Sequence, residues 1–106
     1  MLLALSGLRF NIEDVENKNL DPSNPATPVE VLEVLAKDKD RYVRAAVAEN
    51  PATPVELLKV LAKDKDESVR AAVALNPATP VDLLKVLVMD QDEHVRRQAT
   101  ETLDTL

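Results

Sequence analysis

The sequence predicts an all-α fold, a short solenoid of three stacked helix–turn–helix copies with divergent ends. Two observations carry this expectation. The motif Asn-Pro-Ala-Thr-Pro-Val begins at Asn24, Asn50 and Asn76, so one 26-residue unit is written three times; a fixed period of this length marks stacked repeats. Within each unit, apolar residues recur at helical spacing between polar turns. The copies spanning 24–49 and 50–75 differ at five of 26 positions, and 76–101 differs from 50–75 at ten. With 106 residues, the chain is expected to form one domain. It divides into an N-terminal cap over 1–23, three repeats over 24–49, 50–75 and 76–101, and a helical extension over 102–106.

Taken in chain order, residues 1–23 do not align with the repeat, and an irregular apolar cap is expected there. Leu8, Phe10 and Ile12 alternate as in a short strand, and the run from Ile12 to Val15 is a competing start for a degenerate helix. In the middle copy, Thr53, Pro54 and Glu56 have the order of a capping box with proline at the first helical position, where its missing N–H costs nothing. Thr27 with Glu30 and Thr79 with Asp82 repeat it. A first helix of roughly 54–62 follows, rich in Leu57, Leu58, Val60 and Leu61. The polar run from Lys63 to Asp66 makes the turn, and Asp66 is placed to cap a second helix over about 67–75 that buries Val69, Ala72 and Val73. Asn76 precedes Pro77, and a residue before proline is pushed out of the α region, which ends the helix. Each helix, at about 14 Å, is too short to be stable alone. Neighbouring copies must therefore cover one another's apolar stripes, and Ala45, Ala46, Ala71 and Ala72 leave room for close approach. In the last copy Arg97, Gln98, Ala99 and Thr100 replace the Ala-Ala-Val-Ala of the others. That pattern expects a polar-backed end cap with Val95, Ala99, Leu103 and Leu106 along one side.

Composition narrows the chemistry. The formal net charge is −6, which disfavours a phosphate backbone as main partner. Cysteine is absent, which removes disulfides, thiolate-held zinc and cysteine catalysis. One glycine leaves no Gly-rich phosphate loop, and a single histidine has no histidine partner for a metal site or proton relay. The apolar run from Leu2 to Leu5 is too short to span a membrane and makes a poor signal peptide. The expectation is a cytoplasmic protein with no membrane contact, cofactor, metal site or catalytic residue.

The order Asn-Pro-x-Thr-Pro, Leu-x-x-Leu-Ala, Asp-x-Asp and Val-Arg-x-x-Val-Ala, read from Asn50 to Ala74, resembles the leucine-rich repeat variant family. The resemblance covers residues 24–101. It implies a right-handed superhelix of short stacked helices, one of which in each repeat is tight, and not the strand-lined horseshoe of ordinary leucine-rich repeats. The segment from Asp64 to Arg70 also looks like the second half of HEAT-type repeats. The spacing here is slightly longer than the family's usual one, which favours a fuller helix. A cysteine-bound iron–sulfur cluster, known ahead of the repeats in the family, does not carry over to a chain without cysteine.

Arg44, Arg70 and Arg96 each follow Asp40, Asp66 and Asp92 by four residues. This spacing places the pair on one helix face, and by analogy with HEAT repeats the arginines also suit a ladder between copies; an arginine row for anionic ligands is the weaker alternative. Asn24, Asn50 and Asn76 are expected as structural helix stops, since asparagine bonds its own backbone in turns. The positions where copies differ without touching the inferred core fall into columns. One holds Arg41, Glu67 and Glu93; its neighbour holds Tyr42, Ser68 and His94; another holds Glu49, Leu75 and Glu101. Solenoids use such lines to bind partners, and Tyr42 is the best single candidate because tyrosine is favoured at interface hot spots. The function expected is a non-catalytic scaffold that binds a protein partner, or itself, through one face. A nucleic-acid-binding HEAT-like module and an accessory subunit of an enzyme are the alternatives.

Overall fold

The computed structural model describes residues 2–5, 8–11 and 21–106. Near the N-terminus, β1 (Leu2–Leu5) and β2 (Leu8–Asn11) pair antiparallel, with Leu3 opposite Phe10 and Leu5 opposite Leu8. The irregular cap expected over 1–23 is thus replaced in part by a strand pair, on the period-two alternation that Leu8 and Phe10 displayed. Ile12 and the competing helix start at 12–15 lie outside the described residues.

From residue 21 onward the chain is a helical-repeat solenoid. Six helices follow in order among the described residues: α1 (Val29–Leu35), α2 (Arg41–Glu49), α3 (Val55–Leu61), α4 (Glu67–Leu75), α5 (Val81–Leu87) and α6 (Glu93–Asp104). The odd-numbered helices open each copy and the even-numbered ones close it. Successive closing helices pack directly on each other, α2 on α4 and α4 on α6.

The opening helices start one residue later than expected, and not by a threonine cap. Pro54 is the capping residue, with φ −67° and ψ 153°, and no side chain bonds the first turn. Its carbonyl accepts from the N–H groups of Leu57 and Leu58 at 3.0 Å. Pro28 and Pro80 do the same for α1 and α5. At its far end α3 tightens: Lys63 donates to the Val60 carbonyl and Asp64 to that of Leu61. These i→i−3 bonds satisfy carbonyls that an α-helical end leaves open. Each opening element is therefore a two-turn α-helix with a 3₁₀-type finish.

The closing helix α4 does begin on the expected Asp66 cap, and α2 and α6 begin on its equivalents. Asp40 accepts from the Tyr42 N–H and Asp66 from that of Ser68, both at 2.8 Å, while Asp92 accepts from Val95 at 3.0 Å. One turn earlier, Asp38, Asp64 and Asp90 accept from the N–H of Asp40, Asp66 and Asp92. The two aspartates of each polar run thus build the turn and cap the helix. Asn50 and Asn76 end their helices in extended backbone, with ψ 120° and 124°, as a residue before proline must.

The core is a single apolar layer between the two rows of helices. Leu32, Leu58 and Leu84 are fully buried from the opening helices, as are Val47, Val69, Val73, Val95 and Ala99 from the closing ones. Ala71 and Ala72 are buried where α4 meets its neighbours. Val60 and Leu106 depart from expectation. Val60 is 63% exposed and Val86 64%, because Leu58 and Leu61 already take the inward face of α3. Leu103 packs against the core, but Leu106 is 73% exposed, since α6 ends at Asp104.

Candidate partner-binding face

Three sets of recurring polar residues surround the core, and most of their polar groups are spent on the fold itself. The asparagines form a ladder. Asn50 donates through Nδ2 to the carbonyls of Pro22 and Asn24, both at 2.9 Å, and Asn76 donates to those of Ala48 at 2.7 Å and Asn50 at 2.9 Å. Their Oδ1 atoms accept from the N–H two residues on, at Ala52 and Ala78, closing the Asn-Pro turn; Asn24 makes the same turn bond to Ala26. A buried amide is stable only with its donors and acceptor met, and here both ends are.

Thr102 lies 26 residues after Asn76 and continues this ladder with a hydroxyl. Its Oγ1 donates to the Ala74 carbonyl at 2.7 Å, the acceptor equivalent to Ala48. Counting one further period from Asn76 would have found it; the missing Asn-Pro hid it, because α6 runs straight through this point.

The threonines of the repeat motif do a different job from the one expected. Thr53 Oγ1 donates to the Val47 carbonyl and Thr79 Oγ1 to that of Val73, each at 2.6 Å. They close the end of the preceding helix instead of opening the next one. Thr27 reaches the Asp21 carbonyl in the same way. Glu56, its proposed partner in the capping box, is exposed and pairs at 3.4 Å with Lys59.

The arginines form the ladder between copies, but with carboxylates other than those four residues away. Arg44 places Nε 2.9 Å and Nη2 3.3 Å from the two oxygens of Asp64, and Arg70 does so with Asp90 at 2.9 and 3.2 Å. The third arm, Nη1, donates to the turn carbonyl of its own copy: Asp38 for Arg44, Asp64 for Arg70, Asp90 for Arg96. Asp40, Asp66 and Asp92 cap their helices, and the carboxylate within bidentate reach of each of Arg44 and Arg70 is the next copy's turn aspartate. Both ion pairs are largely buried, with side chains near one-tenth exposed. The hydrogen bond to Asp64 holds the Arg44 guanidinium above its usual pKa, and that to Asp90 does the same for Arg70, against the opposing effect of burial. Burial pushes the Asp90 carboxyl up, but the bond from Arg70, the backbone N–H of Asp92 and the charges of Arg70 and Arg96 outweigh it and hold the group below the ordinary carboxylate value.

The first turns of the closing helices form an edge open to solvent. Arg41, Tyr42, Glu67, Ser68, Glu93 and His94 are all exposed there, at equivalent places in successive copies. Tyr42 is 69% exposed. The Arg41 guanidinium carbon stands 5.2 Å from the Tyr42 ring centroid, and its Nη2 lies 3.4 Å from the phenol oxygen, which gives the ring a cation–π neighbour. Arg41 also crosses to the next copy, with Nη1 3.3 Å from Asp66 Oδ2. Asp66 lies below its ordinary pKa, chiefly through the Ser68 N–H and further through Arg41. The third column, Glu49, Leu75 and Glu101, is exposed at the opposite ends of the same helices. There Leu75 and Glu101 border an open cleft of about 340 Å³.

Among the described residues, no three His, Asp or Glu side chains gather in a way that would hold a metal ion, and no helix is long and apolar enough to cross a membrane. In comparison with known proteins, the Leucine Rich Repeat Variant domain matches this chain over residues 19–74 and 44–102. No curated protein and no solved structure matches it.

Proposed function

The chain belongs to the Leucine Rich Repeat Variant family, and from that premise we propose that it is a non-catalytic scaffold that binds a protein through the edge carrying Arg41, Tyr42, Glu67, Ser68, Glu93 and His94. The observation behind this reading is the division of labour among the repeated polar residues. Asn50, Asn76, Arg44 and Arg70 have their polar groups engaged between copies, while the columns that differ between copies stand in solvent. A frame of this kind is stiff and repeats its geometry, so neighbouring side chains are presented at fixed intervals. Tyr42 is the anchor: a large amphipathic ring, held beside Arg41, that loses little conformational freedom when covered.

Nucleic-acid binding has a weaker basis. Lys37, Lys39 and Arg41 make the first copy locally basic, but Asp38 and Asp40 lie between them, and Tyr42 alone offers a stacking ring within the repeats. The test is affinity for an isolated partner with and without Tyr42. Tyr42→Ala should weaken binding by roughly 1–2 kcal/mol and leave the thermal melt unchanged. Unaltered affinity would remove this edge from the interface. Tight binding to arbitrary DNA or RNA that collapses with added salt would favour the nucleic-acid alternative.

A further inference from the structure

Building on the reading that this edge is the binding face, we propose that the protein seated on it is a second copy of the chain, docked antiparallel about a twofold axis through the middle repeat. The first support is a gradient of charge along the edge. Over residues 36–42, Lys37, Lys39 and Arg41 stand against Asp38 and Asp40; over 62–68, Lys63 and Lys65 stand against Asp64, Asp66 and Glu67; over 88–94, no lysine or arginine stands against Asp90, Asp92 and Glu93. The ladder arginines add the same charge to every copy and leave the trend intact. One end of the edge is therefore basic and the other acidic, so a half-turn about the middle sets each against its opposite.

The second support is apolar. Met89 occupies the place held by Lys37 and Lys63 in the other copies, and it is 82% exposed. Tyr42 lies at the other end of the same edge. Antiparallel docking sets Met89 of one protomer opposite Lys37 of its partner, where the thioether can lie along the lysine's methylene stem, and does so twice by symmetry. The third support is spacing. The columns recur every 26 residues, so a twofold axis at Glu67 and Ser68 sets Arg41 opposite Glu93, Tyr42 opposite His94 and Glu67 against its own copy, one like-charge contact that the two flanking Arg41–Glu93 pairs outweigh. Ser68, the smallest of its column, falls on the axis, where bulk would hold the protomers apart. An interface of this isologous kind closes at two copies and does not propagate into filaments.

Sedimentation of the full chain from about micromolar to about millimolar, the range of small interfaces, tests the proposal. The expected result is a monomer–dimer equilibrium without larger species, weakened by salt as exposed ion pairs are. Arg41→Glu and Glu93→Arg should each raise the dimer dissociation constant at least about tenfold by placing like charges together. The double reversal should bring it back toward wild type. Both sites are exposed, and melts of each variant confirm folding before it is compared. Monomer at every concentration, species beyond the dimer, or a double variant as weak as the single ones would each overturn the proposal. A monomeric wild type that still loses another protein partner through Tyr42→Ala would refute self-docking alone and leave the scaffold reading standing.

Discussion

Asn76 is the residue whose replacement tests the internal frame most directly. Asn76→Ala removes two donated hydrogen bonds, to Ala48 and Asn50, and one accepted from Ala78. The Asn50 carbonyl keeps a second donor in the Thr53 N–H. The Ala48 carbonyl has no other donor among the described residues, and it sits between two copies where water does not replace an amide easily. At a net of about 1 kcal/mol for each hydrogen bond, with an added cost of at least about 1 kcal/mol for a buried acceptor left open, the change should cost roughly 4 kcal/mol. Asn76→Asp is the sharper companion. It preserves size and the Oδ1 acceptor, yet points a carboxylate with no donor at two carbonyls, and a buried unpaired charge costs more than a missing group. Urea unfolding at neutral pH should therefore rank wild type above Asn76→Ala and Asn76→Ala above Asn76→Asp. Each should melt as one unit, because neighbouring copies stabilise each other. If Asn76→Ala lies within about 0.5 kcal/mol of wild type, the range of ordinary surface changes, the asparagine ladder is not holding the copies together. If Asn76→Asp is as stable as the alanine variant, the donor role of Nδ2 is wrong.

Leu58→Ala, at a fully buried position, should cost about 2–5 kcal/mol in the same unfolding assay; a thermal melt indistinguishable from wild type would show the core to lie elsewhere. Thr53→Val should cost about 1 kcal/mol by removing one of the two hydrogen bonds to the Val47 carbonyl, which keeps the Asn50 N–H, while Glu56→Ala should stay within about 0.5 kcal/mol of wild type. Equal losses from both would restore the capping box. Asp66 and Asp90 both lie below their unfolded carboxylate value near 3.8. The stability they contribute is therefore present above that value and is lost as pH falls through their lower folded values. Stability measured against pH should be level at mildly acid pH and drop below about 4, and Asp90→Asn should show a shallower acid decline together with a lower plateau. An acid decline of unchanged steepness in Asp90→Asn would mean that other carboxyls carry it.

Much of the fold was legible in the sequence because it depends on short-range chemistry. Asn-Pro stops a helix wherever it occurs, an aspartate before a helical run caps it, and leucines and valines at helical spacing define an inward face. Leu58, Val69, Ala72 and Val73 were placed correctly on that logic alone, and so was the Asp66 cap. The exposure of Tyr42, Ser68 and His94 was legible for a related reason: positions that vary between copies without loss of apolar character elsewhere are not core positions.

Other features were decided only when the copies met. Thr53 has two acceptable partners, the first turn ahead and the helix end behind, and the nearness of the Val47 carbonyl selects the second. Arg44 follows Asp40 by one helical turn, yet pairs with Asp64, twenty residues away, because the stacking of the next copy brings both oxygens of that turn carboxylate within reach of the guanidinium. Val60 is as apolar as Leu61 but lies outside, since the opening helix has one neighbouring row and room for one buried stripe. The 26-residue period, the closing helices between their aspartate caps and Asn-Pro stops, and the buried face of those helices are local properties, set by backbone preference and side-chain periodicity within a few residues, and the sequence determined them by itself. The choice among several chemically suitable hydrogen-bond and ion-pair partners is set by the distance between repeats, a quantity that exists only once the solenoid has stacked.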